Sequence, residues 1–507
     1  MTPPPKGDLR DGDSPVQTAL DRAVAAGVPF VIAGVARRDE PDAVWTAGSR
    51  SAVRSPAGVP SPAGVPSPGV PSPGVPSPAG VTAPAGVPSP AGVRSPAGVP
   101  SPAGATGATD AATPDTVIAL YSVTKLFTAT AALQCVEDGI LDLDAPAARY
   151  LPEIADLQVL ENLGDDGVIR TRPPTRPITA RMLLQHTSGL AYDMFDPRYA
   201  VLARQRMRHP SLSPMRDSLR TPLLHDPGER WTYGTSIDWL GLIVAAVRGE
   251  RLETVMRERI FSVCGLESTS FDVSPGMRDR LAVVHRRGRD GALVAATGSP
   301  PSTPELDMGG QGLYSTVPDV LRFLRVWLGD GAAPGGRVLD DGTAPGGRVL
   351  GDGAAPGGRV LGDGAAPGGR VLGDGAAPGG RVLGDWAAPG GRMLRADTIE
   401  WAVRGVPGLV ITPLPAAIPA LTREAEFFPG GRKSWGASFL VTDDDVAGGR
   451  RRGSFGWAGL GNVYWWVDRG SGVAAVWATQ LLPFFDPAAK AGVEAFERAV
   501  YGDAVRP

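Results

Sequence analysis

Residues 121–137 read YSVTKLFTATAALQCVE, which places a serine and a lysine three positions apart at the start of an apolar helical run. The pattern predicts a helix from Ser122 to Glu137, stopped by Gly139. Residues i and i+3 share one face of a helix, so the Lys125 ammonium is expected within reach of the Ser122 hydroxyl. A lysine in the first turn opposes the helix macrodipole, and the apolar flanks favour its burial. Both effects would lower the pKa of Lys125 and let the neutral amine take the serine proton.

This Ser-x-x-Lys pair also has a structural interpretation, in which Ser122 is an N-cap and Lys125 is an exposed first-turn side chain. The better-known catalytic signatures are absent: the sequence has no GxSxG, no GxxxxGK[ST], no GxGxxG, no HExxH and no CxxC. Its two cysteines, Cys135 and Cys264, lie in apolar helical contexts and are predicted to be reduced core thiols. No metal and no cofactor are therefore expected.

Charge and hydropathy narrow the range of partners. The 507 residues carry a net charge of -3, which provides no basic field for nucleic acid or an anionic membrane. The first residues lack the apolar core of a signal peptide, and the longest uncharged apolar run, Trp239 to Val247, is too short to span a bilayer. The expectation is a cytoplasmic protein that acts on a small molecule and has no membrane or nucleic-acid partner.

Two repeat tracts account for the chain's excess of glycine and proline. Residues 55–104 are built from SPAGVP and SPGVP units and predict a disordered, polyproline-rich loop. Residues 329–392 repeat GDGAAPGGRVL every 11 residues, which favours a disordered loop over a stacked solenoid because each unit offers one Val-Leu pair for burial. Although the length alone suggests about three domains, we interpret residues 1–507 as one domain with two loop insertions.

Outside these tracts, strand patterns occur near both ends of the chain and helical patterns lie between them. Pro29 to Val35 and Ala43 to Thr46 predict an N-terminal hairpin, and Trp435 to Val441 is among three strands predicted near the C-terminus. A helix is predicted over Leu252 to Val263. The expected fold class is α+β, with an antiparallel sheet flanked by helices and a helical subdomain between the terminal parts.

Five segments in order extend the Ser-x-x-Lys motif: YSVTK, LLQHTSGL, PGERWTYGTSIDWLG, GGQGLYSTVPDVLRF and FGWAGLGNVYWWVD. Together they resemble the serine β-lactamase and penicillin-binding-protein superfamily, most closely its class C-like branch with family VIII carboxylesterases and lovastatin-type acyltransferases. The resemblance covers nearly everything outside the repeats. It implies a β-lactamase-like fold with an active site at the junction of the sheet and the helical subdomain.

The resemblance also assigns roles. It makes Ser122 the acyl-accepting nucleophile and Lys125 its base, with Tyr233 relaying the proton to the leaving group. Trp457 and Gly459 then stand where penicillin-recognising relatives have Lys-Thr-Gly on an edge strand. The backbone N–H groups of Ser122 and Leu460 would form the oxyanion hole.

Structural interpretations of these residues remain beside the catalytic ones. Tyr233 could be a capping or core tyrosine, Gly459 a turn glycine, and His186 a buried group at a helix end. The sequence also leaves open a Ser-His-Asp triad built from distant segments, because His209, His225 and His285 lack a local motif.

Two departures from the pattern bear on the substrate. Trp457 replaces the lysine that pairs with the carboxylate of β-lactams, and Thr235 replaces the asparagine of the second motif. An indole at the pocket edge favours an apolar acyl or alkyl group. The predicted activity is a carboxylesterase acting on small esters. A β-lactamase or D-amino-acid peptidase acting on an amide, an acyltransferase, and an inactive binding module that docks through its Pro-rich tract are the alternatives; the oligomeric state is not predicted.

Overall fold

A seven-stranded antiparallel sheet joins the two ends of the chain in the computed structural model, which describes residues 14–51, 110–163, 168–206, 215–296, 304–333 and 392–502. Within those residues the strands are β1 Phe30–Arg37, β2 Ala43–Gly48, β3 Ile118–Ala119, β4 Val159–Leu163, β5 Ile169–Arg172, β6 His285–Arg287, β7 Leu293–Ala295, β8 Tyr314–Ser315, β9 Lys433–Trp435, β10 Leu440–Thr442, β11 Phe455–Gly459, β12 Val463–Asp468, β13 Val473–Ala478 and β14 Leu481–Leu482. The large sheet has the order β2-β1-β13-β12-β11-β10-β9. Because β1 pairs with both β2 and β13, the predicted hairpin and the predicted closure of the sheet by both ends are confirmed.

Helices cover the sheet and form a separate layer beside it. They are α1 Pro15–Ala25, α2 Thr124–Glu137, α3 Ala180–Leu184, α4 Pro197–Arg206, α5 Ser236–Arg248, α6 Leu252–Met256, α7 Ser262–Cys264, α8 Pro275–Asp279, α9 Val317–Leu328, α10 Ala396–Val403 and α11 Pro487–Gly502. A π-helical turn, Arg257–Phe261, connects α6 to α7 and interrupts the helix predicted over Leu252 to Val263. None of the helices in the described part of the chain is long and apolar enough to cross a bilayer.

Neighbouring residues of the central strands show that both faces of the sheet are covered. A Cβ on Gly34 of β1 would lie 2.5 Å from the Leu321 side chain of α9, so this position faces α9. On β13, Trp477 instead contacts α11, where a Cβ on Gly492 would lie 3.0 Å from its indole. Successive strand residues point to opposite faces, and here each face is packed against a helix. The expected α+β sheet flanked by helices is therefore confirmed.

The helical layer is organised around α2, which is buried from Thr124 to Val136. A helix that is apolar all round belongs in an interior, and α2 packs against both α5 and α6. The 3-10 turn Tyr121–Val123 at its start packs against β11 and β12. The fold therefore carries the Ser-x-x-Lys pair to the junction between the helical layer and the sheet.

Two strand predictions were wrong. The run predicted as one strand over Trp435 to Val441 forms β9 and β10, joined by a turn in which Ser438 has a φ of 76°. A mostly apolar run such as this does not show where a chain reverses, because hydrophobicity does not distinguish a strand from a tight turn. The segment that holds Trp457 is also not on an edge strand: β11 lies between β12 and β10. The β10 ladder pairs only Phe455 and Gly456, so within the described residues Trp457–Gly459 pair with β12 alone.

The points where the repeat tracts leave and rejoin the fold are held together. The Arg50 N–H donates to the Asp110 carbonyl at 3.0 Å, and the Ala112 N–H donates to the Gly48 carbonyl at 3.0 Å. Around the second tract the Met393 N–H donates to the Gly331 carbonyl at 2.6 Å. The repeats themselves, with their predicted loop or solenoid character, lie outside the described residues. The two bridges support our proposal that the chain is one domain with two insertions.

Deleting residues 55–104 is expected to leave folding and catalysis largely intact. The flanking residues already meet through the bridge at Gly48, Arg50, Asp110 and Ala112, and the closure entropy of a flexible loop changes slowly with its length. Thermal unfolding of the deletion variant and of the full chain measures the effect, with a shift of a few degrees or less expected. A collapse of the thermal midpoint would show that the tract is packed against the domain.

Candidate active site

The chain enters α2 through a tight turn that presents Ser122 to a cavity. The turn Tyr121–Val123 follows β3 and places Ser122 at the positive end of the helix. Tyr121 has a φ of 48°, a left-handed conformation that costs roughly 1–2 kcal/mol for a residue with a side chain. Ser122 is half-buried and Val123 is fully buried, so Ser122 is the residue of this pair that a small molecule can reach.

Lys125 is buried beside Ser122, with 1% of its surface exposed. Its Nζ lies 3.1 Å from Ser122 Oγ, 3.1 Å from Tyr192 Oη and 2.8 Å from the Gly310 carbonyl oxygen. Burial lowers the pKa of Lys125 to about 7, while the Asp238 carboxylate acts in the opposite direction. The exposed-lysine interpretation is therefore wrong. An amine with this pKa is substantially neutral near pH 7, as a general base must be.

Tyr233 lies beside Ser122 and Lys125. Its hydroxyl accepts a 2.8 Å hydrogen bond from Trp457 Nε1, and Tyr233 and Ser122 line the same cavity. Burial raises the pKa of Tyr233, so the phenol keeps its proton at neutral pH. The Lys125 Nζ lies 4.8 Å from the centroid of the Tyr233 ring, which gives the ammonium form a cation-π contact. This phenol can therefore exchange a proton with the serine oxygen.

The end of β11 packs directly against the turn that carries the serine. A Cβ on Gly459 would lie 2.3 Å from the Leu120 carbonyl oxygen, so only glycine fits at this approach. Leu460 follows and lines the same cavity as Ser122. The structure thus brings together all six predicted site residues, which are Ser122, Lys125, Tyr233, Trp457, Gly459 and Leu460.

The cavity at Ser122 has a mainly apolar wall, and no charged residue lines it in the part of the chain that the structure describes. Its remaining lining residues are Tyr121, Tyr192, Met194, Phe195, Tyr233, Gln311, Leu414, Trp457, Ala458, Leu460 and Phe484. Trp457 packs against Trp435 and Phe427, at ring-centroid distances of 4.7 and 5.0 Å. The described residues contain no cluster of three or more His, Cys, Asp or Glu side chains that could hold a metal ion.

Sequence reasoning missed two side chains of the site, Tyr192 and Asp238. Tyr192 Oη donates to Asp238 Oδ2 at 3.2 Å, and the other carboxylate oxygen accepts from the Gly310 N–H at 2.8 Å. Burial raises the pKa of both Tyr192 and Asp238. A signal was present in or near the quoted segments, because Tyr192 lies two residues after the LLQHTSGL run and Asp238 lies in the same segment as Tyr233.

The described histidines make no contact that would activate Ser122. His186 is buried at the end of α3 and packs on Tyr233 with ring centroids 4.9 Å apart, and burial lowers its pKa well below the usual value. His225 hydrogen-bonds the Asp226 carbonyl and Thr232, and His285 pairs through its backbone in β6. His209 lies outside the described residues. Among the residues described, a Ser-His-Asp triad on Ser122 is not formed.

Several known proteins are similar to this chain in sequence. The family model described as Beta-lactamase matches residues 93–364. Lovastatin esterase from Penicillium rubens is 36% identical over 42% of this chain and 55% of its own length. Monacolin J acid methylbutanoyltransferase from Aspergillus terreus is 36% identical over 40% of this chain and 50% of its own length. The chain thus spans about half the length of these curated relatives.

A solved structure covers far more of the chain. A mutant of simvastatin synthase from Aspergillus terreus covers 98% of this chain and 99% of its own, with a TM-score of 0.65 and 22% sequence identity. At that identity the likeness concerns the fold, and it agrees with the sheet and helical layer described above. The family match extends over more than half of the sequence. The chain belongs to the beta-lactamase family, within the superfamily of serine β-lactamases and penicillin-binding proteins.

Proposed function

We propose that this protein is a serine hydrolase that forms an acyl-enzyme on Ser122, acting as a carboxylesterase on small esters. The observation that carries the proposal is the 3.1 Å approach of Lys125 Nζ to Ser122 Oγ, made by a buried amine whose pKa is lowered to about 7. A nucleophile beside a base of matched pKa is the usual arrangement for covalent acyl transfer. Sequence similarity to an esterase and to an acyltransferase supports the same chemistry.

Acylation follows from the positions of three side chains. Neutral Lys125 takes the Ser122 proton as Oγ bonds to the ester carbonyl carbon, and the carbonyl π-electron pair moves to oxygen. The backbone N–H groups of Ser122 and Leu460 are assigned to this oxyanion. When the intermediate collapses, the bond to the leaving alkoxide breaks and Tyr233 supplies its proton. The lysine ammonium then returns a proton to Tyr233, so no proton is lost.

Deacylation reverses these steps with water or with another alcohol. Among the described residues the cavity lining contains no carboxylate, so these residues offer an incoming water no base besides Lys125 and Tyr233. An alcohol could use the same two groups and would also gain apolar contact with Phe195, Leu414 and Phe484. This lining specifically favours acyl transfer as a second candidate function beside hydrolysis.

The β-lactamase and peptidase alternatives receive less support from the site. A substrate carboxylate needs a cation to pair with. The position of the recognition lysine is occupied by Trp457, and the lining residues that the structure describes include no arginine, lysine or histidine. A chromogenic cephalosporin should therefore be turned over far more slowly than a short nitrophenyl ester.

A panel of small esters followed by mass spectrometry of the intact protein tests the proposal. The expected result is a transient mass increase equal to the acyl group minus one hydrogen, located on Ser122, with release of acid in water. Adding a primary alcohol separates the two functions: an acyltransferase forms the new ester faster than it forms acid. Absence of any acyl adduct and of labelling by a fluorophosphonate probe would favour the inactive binding module.

Trp457→Phe tests the contact between the indole and Tyr233. Phenylalanine keeps an aromatic wall but loses the 2.8 Å hydrogen bond to Tyr233 Oη. Loss of one such bond is worth about 0.5–1.5 kcal/mol, so kcat for ester turnover is expected to fall roughly 3- to 10-fold, with a smaller change in KM. Steady-state kinetics with a nitrophenyl ester measures the effect.

Trp435→Phe is the matched control. Trp435 lies 4.7 Å from Trp457, but its Nε1 has no hydrogen-bond partner among the described residues. The same change in ring size there removes no polar contact, so its effect on kcat should be the smaller one. If the two variants lose kcat equally, aromatic packing and not the hydrogen bond to Tyr233 is what matters.

A further inference from the structure

Four groups form a closed hydrogen-bonded ring behind Ser122. Lys125 Nζ contacts Tyr192 Oη at 3.1 Å, and that hydroxyl donates to Asp238 Oδ2 at 3.2 Å. Asp238 Oδ1 accepts from the Gly310 N–H at 2.8 Å, and the carbonyl of the same glycine contacts Lys125 Nζ at 2.8 Å. Lys125, Tyr192 and Asp238 are each no more than 1% exposed. These side chains are almost fully buried, so the ring must satisfy its donors and acceptors largely from its own groups.

The number of hydrogens in this ring fixes where each one points. A neutral lysine amine has two N–H donors and one lone pair. To act as the base, Lys125 must direct that lone pair at the Ser122 hydroxyl. The Gly310 carbonyl can only accept, so it takes one N–H of Lys125. The second N–H needs another acceptor, and Tyr192 Oη is the remaining polar neighbour of Nζ at hydrogen-bond distance.

The direction of the Tyr192 proton then decides how Lys125 is used. A phenol has a single proton. If Tyr192 donates it to Asp238, the phenol oxygen can only accept from Lys125, and the lysine lone pair is left for Ser122. If Tyr192 donated it to Lys125 instead, this bond would compete with the serine hydroxyl for the same lone pair. A carboxylate, which only accepts, enforces the first arrangement.

We propose that Asp238 is a positioning residue that acts through Tyr192 to aim the lone pair of Lys125 at Ser122. The proposal rests on the proposed function, because it assumes that neutral Lys125 is the base for Ser122. Asp238 itself touches no reacting atom. Its role is to hold the proton of Tyr192 on the side away from Lys125.

Asp238→Asn reverses the proton order with little change in shape. Its carbonyl oxygen is needed by the Gly310 N–H, so its NH₂ faces Tyr192, which must then accept and turns its own proton toward Lys125. The rate of Ser122 labelling by a fluorophosphonate should fall roughly tenfold on the alkaline plateau, the effect of about one misdirected hydrogen bond. In a Tyr192→Phe background no proton can be redirected, so the same substitution should change the plateau rate less than about twofold.

The pH dependence of the labelling rate distinguishes the effect of the Asp238 charge from the effect of the direction of the Tyr192 proton. Lys125 is faced by the phenols of Tyr192 and Tyr233, by neutral His186 and by the Asp238 carboxylate. Removing this carboxylate disfavours the ammonium, so the acid limb of the labelling rate should move to lower pH in both backgrounds. The drop in plateau rate should occur only where Tyr192 is present.

Asp468→Asn is the matched control, because Asp468 is also buried and also accepts from a tyrosine, Tyr501 Oη, at 3.0 Å, at the far end of β12. Its labelling rate should stay within about twofold of wild type. An equal loss from Asp238→Asn with and without Tyr192, or no loss at all, would overturn the proposal. If wild-type protein is not labelled at Ser122, the proposed function has failed instead.

Discussion

Ser122→Ala is expected to abolish ester turnover and fluorophosphonate labelling, a loss of about 10³-fold or more. The substitution removes the oxygen that would carry the acyl group, and neither Lys125 nor Tyr233 can replace it. Because Ser122 is half-buried and makes few contacts, the thermal midpoint should remain nearly unchanged. Steady-state hydrolysis of a nitrophenyl ester and intact mass after labelling provide the measurement.

The matched control for this change is Ser471→Ala. Ser471 lies in the turn between β12 and β13, at the opposite end of β12 from the cavity. It should retain wild-type turnover. Retention of turnover or labelling by Ser122→Ala in a protein that melts normally would overturn the assignment of the nucleophile.

Lys125→Met is expected to have the second-largest effect, a fall in kcat/KM of about 10²- to 10⁴-fold, the usual contribution of a general base. Methionine has a similar length and fills the same buried space without the amine. The wild-type rate should rise with pH through about 7, because the lowered pKa of Lys125 leaves the active, neutral form dominant above that value. The Lys125→Met variant should lose both this rise with pH and most of its kcat/KM.

Measurement of kcat/KM from pH 5 to pH 9 tests both statements. Lys433→Met provides the control, since Lys433 pairs with Glu426 outside the cavity. Its profile should match that of wild type. A Lys125→Met variant that is folded, as judged by circular dichroism, and still shows the wild-type limb would mean that another group is the base.

The part of the site that could be predicted from sequence is the part held by local structure. Ser122 lies in the 3-10 turn that leads into α2, and Lys125 lies three residues later in the first turn of α2. Their spacing predicts their contact, and the described chain has that contact. Tyr233 and Trp457 required the family resemblance, because they meet Ser122 only through the fold. Tyr192 is 67 residues from Lys125 in sequence, and no local pattern marks a contact at that separation.

In the fold, too, the elements that could be predicted are those marked by local sequence signals. The signals that bound helices α5 and α9 are local: α5 ends at Gly249, which is left-handed, and α9 begins after the N-cap Thr316. The β9–β10 turn was missed because Gly436 and Ser438 sit within an otherwise apolar run.

The bridges at the bases of the two repeat tracts have a further consequence. Each tract leaves and re-enters the domain between residues that are already hydrogen-bonded to each other, Arg50 with Asp110 and Gly331 with Met393. We therefore expect the register of the sheet not to depend on how many repeat units lie between them. Gain or loss of whole units by the coding DNA should leave the folded core unchanged, and both openings should be suitable points at which to graft a foreign domain.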